Sequence, residues 1–138
     1  RLIRLGLRNA VDLAGAYEVV RRMLGEDLHF TAIFVHSGLV APGVLLALRE
    51  AGLRVPQDVA LVGQGDFPIA PYLEVPLTCV RNPTPEMGAR AVELLLRRIG
   101  GERPEQPEKV ILSPELVIRR SCGAKLSAGI AQPGIVLE

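Results

Sequence analysis

The sequence predicts an α/β fold with a doubly wound parallel sheet. Two short apolar runs rich in β-branched and aromatic residues, 31–35 (TAIFV) and 58–63 (DVALVG), are continuous rather than alternating, which is typical of strands buried on both faces. Segments with apolar residues at helical spacing alternate with the strands. The resulting β-α-β-α-β order, with short connections, indicates a parallel sheet covered by helices.

The first 25 residues predict a strand and an amphipathic helix. Residues 2–7 alternate weakly between apolar and polar and indicate the strand. Asp12 is a good helix N-cap, and Gly25 ends the helix that follows. The inner face of this helix is expected to carry residues that recur at helical spacing: Leu13, Ala16, Tyr17, Val20, Met23 and Leu24.

The next helix is predicted from Leu39 to Ala51, between the strands at 31–35 and 58–63. Pro42 is compatible with it only in the first turn, where its missing N–H has no partner within the helix. Three prolines in residues 66–76 then exclude a regular helix or a central strand.

A third helix is predicted from Thr84, as N-cap, through Ile99, with Pro85 at the first helical position. Its apolar face comprises Met87, Ala91, Leu94, Leu95 and Ile99. Short extended segments are predicted at 77–81 before it and at 109–112 and 115–119 after a Pro-rich connector. No regular structure is predicted for residues 123–138.

Composition excludes several classes of function. The net charge is only +1 and the basic residues are spread along the chain, so nucleic-acid binding by this segment is not expected. No apolar run is long enough to span a bilayer and no secretory signal is present, which predicts a cytoplasmic protein without a membrane partner. Cys79 and Cys122 lack metal-ligand spacing and are expected to be reduced thiols.

Three ordered blocks of the sequence resemble the C-terminal half of LacI/GalR-type bacterial transcription regulators. They are 31–66 (TAIFVHSGLVAPGVLLALREAGLRVPQDVALVGQGD), 76–101 (PLTCVRNPTPEMGARAVELLLRRIGG) and 111–121 (ILSPELVIRRS). Positions that match the family pattern are Gly52, Val55-Pro56, Val62-Gly63, Pro76-Leu77-Thr78, Val80 and Met87-Gly88. The resemblance covers the chain from about Leu13 to Ser121.

The resemblance implies an incomplete fold of the periplasmic-binding-protein-like type I. In that family two α/β lobes hold an effector in the cleft between them. Residues 1–79 would form most of the C-terminal lobe, 80–104 would cross to the N-terminal lobe, 105–122 would return, and 123–138 would be a tail. Because a further strand and helix of the lobe would be missing, we expect self-association or rearrangement to cover the open edges.

The implied function is effector sensing by a DNA-binding transcriptional regulator, which is expected to be a repressor. A small molecule, a sugar or similar, would control operator binding by a helix-turn-helix head that this chain lacks, in a homodimer. Two alternatives stay open: a periplasmic or transport sugar-binding protein of the same plan, and an enzyme on a flavodoxin-like sheet. The sequence offers no catalytic, cofactor or metal-binding motif for an enzyme.

Effector contacts are expected in the loops after the parallel strands, since ligands of such sheets bind outside the strands' carboxyl ends. The candidates are Asn9, Val11, His36, Ser37, Gln64 and Asp66. Each has a structural alternative: His36 as an exposed loop residue, for example, or Asp66 as a support of the turn through nearby backbone amides.

The sequence departs from the family at these loops. Ser37-Gly38 replaces an Asn-Asp pair, and Gly65 replaces an Asp that commonly holds the effector. Either the effector differs from the usual sugar or nucleobase, or effector sensing has decayed. The resemblance also implies a dimer interface, for which the candidates are Leu39, Pro42, Leu46, Tyr72 and Leu73; the alternative is that these residues only close the lobe.

Overall fold

Helices and strands alternate along the chain in the computed structural model, which describes residues 11–26, 30–102 and 106–124. The elements are α1 (Leu13–Gly25), β1 (Ala32–Val35), α2 (Ala41–Glu50), β2 (Ala60–Gln64), β3 (Thr78–Arg81), α3 (Thr84–Ile99) and β4 (Glu115–Val117). Short 3-10 turns lie at Gly38–Val40 and Ala70–Tyr72. The strand predicted at 2–7, the candidate Asn9 and most of the predicted tail lie outside the described residues.

Helix α1 begins where its cap residue predicts. The backbone N–H of Gly15 donates to Asp12 Oδ1 at 2.7 Å, which satisfies one of the free donors of the first turn. Ala16, Val20 and Met23 are buried on one face of the helix, as the apolar spacing predicts. Leu13, which was expected on the same face, is 46% exposed because it lies in the first turn, at the end of the helix.

Helix α2 packs closely against α1 because Gly43 has no side chain. A methyl group placed on Gly43 would lie 2.2 Å from the carbonyl oxygen of Leu13. The helix begins two residues later than predicted, since Gly38–Val40 form a 3-10 turn first. Pro42 lies in the first turn, as expected, where it removes no helix hydrogen bond.

The described strands form one sheet in the order β1-β2-β3-β4. The first three are parallel, with Val35 opposite Gly63 and Gly63 opposite Cys79. Strand β4 is antiparallel to β3, with Val117 opposite Cys79. An extended segment is predicted at residues 109–112, but these residues form no strand in the structure. Their side chains are largely exposed, and their backbone joins no edge of the described sheet.

The core lies between the sheet and α1 and α2. Leu48, Leu61 and Leu77 are fully buried. Ser121, also fully buried, joins two strands to the segment after β4: its Oγ donates to the carbonyl of Leu61 at 2.5 Å and accepts from the N–H of Thr78 at 2.8 Å.

Helix α3 has no buried residue among those that the structure describes. Met87, Leu95 and Ile99 expose 50%, 58% and 73% of their surface. The predicted cap is wrong by one residue: Pro83 is the N-cap, because its carbonyl already accepts from the N–H of Met87 at 2.9 Å. Thr84 and Pro85 are therefore the first and second helical residues.

Candidate functional site

The loops that follow β1 and β2 contact each other at the carboxyl edge of the sheet. A methyl group on Gly38 would lie 2.8 Å from the carbonyl oxygen of Gly65 and 3.3 Å from that of Gln64. Only glycine fits at position 38 without displacing the neighbouring loop. Both departures from the family pattern, at 38 and at 65, are therefore on the two sides of one backbone contact.

Four of the candidate effector residues lie on these two loops. His36 is exposed directly after β1, and Ser37 is half-buried beside it. Gln64 ends β2 and Asp66 follows two residues later. Val11, by contrast, lies just before the N-cap of α1 with 53% of its surface exposed, and Asn9 is not among the described residues.

The carboxylate of Asp66 is engaged by three side chains from β3 and the segment after β4. Arg81 donates to Oδ2 through both Nε, at 2.9 Å, and Nη2. Arg119 contacts both oxygens, with Nη1 2.8 Å from Oδ1 and Nη2 3.0 Å from Oδ2. Cys79 Sγ is 3.2 Å from Oδ1. We call these four residues, with Glu115, the Asp66 network; Arg81 Nη1 donates to Glu115 at 3.0 Å.

Burial makes the pairing of Asp66 with Arg119 electrostatically strong. The side chain of Asp66 is 8% exposed and that of Arg119 is 15% exposed, so water screens their attraction little. Hydrogen bonds from Arg119, and then from Arg81, hold the pKa of the Asp66 carboxyl well below its usual range against the opposing effect of desolvation. Asp66 is ionised at neutral pH, and its charge is offset within the protein.

Arg119 is also anchored to backbone. Its Nη1 donates to the carbonyl of Leu77 at 2.8 Å and lies 3.2 Å from Cys79 Sγ. Its own N–H donates to Thr78 Oγ1 at 2.8 Å. Burial and the neighbouring Asp66 carboxylate raise the pKa of the Cys79 thiol, so the thiol is neutral at physiological pH.

The partners of Asp66 were not among the candidates from the sequence. Asp66 was a candidate effector contact, with support of its own turn through backbone amides as the alternative. Its partners in the structure are side chains 13 to 53 residues away along the chain. The only sequence signal was the position of two arginines on neighbouring extended segments. Recognising it requires the register of β3 and β4, which the sequence does not reveal.

Three of the five interface candidates line one shallow groove. Pro42, Leu46 and Leu73 form it together with Leu45, and the ion pair of Arg49 with Glu74, at 2.8 Å, bounds it. Tyr72 is 82% exposed in the adjacent 3-10 turn. Leu39 is half-buried in the turn before α2.

Within ranges 11–26, 30–102 and 106–124, no group of three or more His, Cys, Asp or Glu side chains could hold a metal ion. No helix in this part of the chain is long and apolar enough to cross a membrane. Among the same residues, every buried side-chain nitrogen and oxygen has a hydrogen-bond partner.

Known proteins are similar to most of this chain. Residues 3–122 match the periplasmic binding protein-like domain. The chain is 40% identical over 109 residues to the HTH-type transcriptional regulator MalR of Streptomyces coelicolor, covering 79% of this chain and 31% of that protein. It is 36% identical over 110 residues to the HTH-type transcriptional repressor PurR of Pasteurella multocida, covering 80% and 33%.

Among solved structures, the complex of the transcriptional regulator CelR with cellobiose matches with a TM-score of 0.72 and 36% identity, over 79% of this chain and 33% of that one. The chain spans about a third of the length of the curated relatives named above.

Proposed function

The chain belongs to the periplasmic binding protein-like domain family, in the form carried by LacI-type transcriptional regulators, and we propose that it is the C-terminal part of the effector-sensing core of such a regulator. The observation that carries this proposal is the contact of the loops after β1 and β2 through Gly38 and Gly65. It forms one continuous edge at the place where parallel sheets bind ligands.

The effector is a sugar or a similar small molecule in this proposal. His36, Ser37 and Gln64 contact it through hydrogen bonds, together with Asn9 and Val11 from the segment before α1. Asp66 supports the loop rather than holding the ligand, because Arg81 and Arg119 already engage its carboxylate. MalR, PurR and CelR are named as transcriptional regulators or repressors, and CelR binds cellobiose, which favours this class over a transport protein or an enzyme.

The exposed apolar face of α3 supports the division of the chain between two lobes that we propose. This face, exposed among the described residues, is the surface that the N-terminal lobe covers when 80–104 cross to it and 105–122 return. Contact with DNA is made by a helix-turn-helix head outside this chain, in the cytoplasm. The groove of Pro42, Leu46 and Leu73 lies within the homodimer interface.

The test uses the complete gene product that contains this sequence. Its affinity for the DNA upstream of its own gene is measured by fluorescence anisotropy, with and without each member of a panel of sugars, nucleosides and amino acids. At least one compound is expected to change the affinity about 5- to 150-fold. Gln64→Ala should reduce that response, whereas Glu18→Ala, an exposed position on α1, should preserve it. A gene product with a signal peptide and no DNA binding contradicts the proposal.

A further inference from the structure

The aromatic ring of Phe67 covers the glycine contact at the carboxyl edge of the sheet. A methyl group on Gly65 would lie 2.6 Å from Phe67 Cε2 and 3.0 Å from Cζ. A methyl group on Gly38 would lie 3.3 Å from Phe67 Cδ2. The ring thus occupies the space that side chains at 38 and 65 would need, and it contacts both loops.

The backbone conformation of Gly65 favours glycine at this position, next to the ring of Phe67. Its φ is +84°, a region in which a residue with a side chain is strained. Asp66 is held by Arg81 and Arg119 immediately before Phe67, and the carbonyl of Phe67 accepts from the N–H of Ala70 at 2.9 Å. The backbone of Phe67 is therefore held on both sides, while part of the residue's surface stays accessible.

The charges of the Asp66 network cancel. Asp66 and Glu115 are matched by Arg81 and Arg119 within the Asp66 network. Both oxygens of the Asp66 carboxylate already accept from arginines, so this carboxylate is not left to bind the hydroxyls of a polyol or an amine. The two loops that meet at this edge carry the polar side chains of His36, Ser37 and Gln64, and Phe67 is partly accessible among them.

We propose that Phe67 determines effector specificity, by selecting an uncharged ligand that presents a flat apolar or aromatic ring face to its ring. This inference rests on the proposed function, because it assumes that the effector binds at this edge. Offset stacking on the ring of Phe67 supplies the affinity, and hydrogen bonds with Ser37 and Gln64 orient the ligand.

The experiment compares matched ligands on the complete gene product. Phenyl and methyl β-glycosides of glucose, galactose and ribose are titrated by calorimetry. At least one phenyl glycoside is expected to bind up to about tenfold more tightly than its methyl counterpart. Phe67→Ala should bring that ratio to about one, because the stacking surface is gone. Phe34→Ala removes another exposed phenyl ring, on β1, and should leave the ratio unchanged.

Equal affinities within every pair, a preference that survives Phe67→Ala, or no binding by any glycoside overturns the inference. The DNA-binding measurement is made on the same preparation. A protein that binds DNA and lacks the phenyl preference refutes only the role of Phe67. A protein with the preference and without DNA binding refutes the proposed function instead.

Discussion

Asp66 carries a full negative charge in a place where little of its side chain meets water. Two guanidinium groups compensate that charge, and Arg119 itself is largely buried. Such a pair adds little stability relative to an apolar pair of the same shape, but it is costly to break because one partner is then left buried and uncompensated. The network also ties the loop after β2 to β3 and to the segment after β4.

Replacing Asp66 with Asn leaves Arg119 without its counter-charge. We expect the free energy of unfolding in urea to fall by about 2 to 3 kcal/mol. Glu93→Gln is the matched control: the Arg90–Glu93 pair is half exposed on both sides, so its loss should cost at most about 0.5 kcal/mol. Equal effects of the two substitutions would show that the Asp66 network contributes no more than a surface pair.

The same carboxylate predicts a pH dependence. Arg119 and Arg81 lower the pKa of Asp66, and Arg54 lowers the pKa of Asp58 to about 2. Because the pKa is lower in the folded state, the stability from each group is present above the unfolded value and lost as pH falls through the folded one. The free energy of unfolding should therefore decrease below about pH 4.

Urea unfolding at a series of pH values measures this effect. Asp66→Asn should show a shallower decrease in acid than the unmodified protein, since one linked proton is removed. Glu93→Gln should follow the unmodified protein. An unchanged acid slope in Asp66→Asn would mean that the carboxyl titrates alike in the folded and unfolded chain.

At the scale of elements, the α1–α2 contact is tightly packed, whereas the apolar face of α3 is unpacked among the described residues. The first is closed by Gly43 against the backbone of α1 and covers the buried residues of both helices. The second is an amphipathic helix whose apolar side has no partner among the described residues. Helices of this kind gain most of their stability by packing that face.

Gly43→Ala tests the first contact. The added methyl group would overlap the carbonyl oxygen of Leu13, and separating the helices should cost about 2 kcal/mol. Gly25→Ala is the control, because no atom lies within 4 Å of a methyl group there; thermal or urea unfolding should change by less than about 0.5 kcal/mol. Similar stability of the two variants would exclude tight packing at Gly43.

Leu95→Glu tests whether α3 is covered in the complete gene product. If the other lobe buries this face, the free energy of unfolding falls by about 2 kcal/mol. Glu93→Gln on the same helix should have little effect. A Leu95→Glu protein as stable as the unmodified one would indicate that this side of α3 stays in water, and the proposed crossing of 80–104 would be wrong.

At the scale of the whole molecule, the two proposed contact surfaces lie on different parts of the chain. The effector edge is formed by loops after parallel strands, whereas the groove of Pro42, Leu46 and Leu73 is formed by α2 and the segment after the second 3-10 turn. Leu46 is 37% exposed in that groove, so it is available to a second copy of the chain.

Leu46→Arg should dissociate the proposed homodimer, since a charge would be buried in an apolar interface. Sedimentation velocity of the complete gene product is expected to show a dimer that becomes a monomer on this substitution. Ala14→Arg adds the same charge at an exposed position of α1 and should leave the dimer intact. A dimer that persists in Leu46→Arg would place the interface elsewhere.

Local patterns predicted most of the described elements. Asp12 capped α1, and Pro42 lay in the first turn of α2 as expected. The errors were local too: Pro83 replaced Thr84 as cap, and 109–112 made no strand. The family resemblance, from three ordered blocks, agrees with the match over residues 3–122. The assignment of individual effector and interface residues remains a prediction.

The sequence by itself determined the alternation of helices and strands, because spacing, caps and prolines act over a few residues. Only the tertiary structure decided that Asp66 pairs with Arg81 and Arg119, and that Phe67 lies over Gly38 and Gly65. These contacts depend on strand register and on loops that meet across the sheet. A pattern along the chain does not contain that information, because each partner alone is an ordinary polar, glycine or aromatic residue.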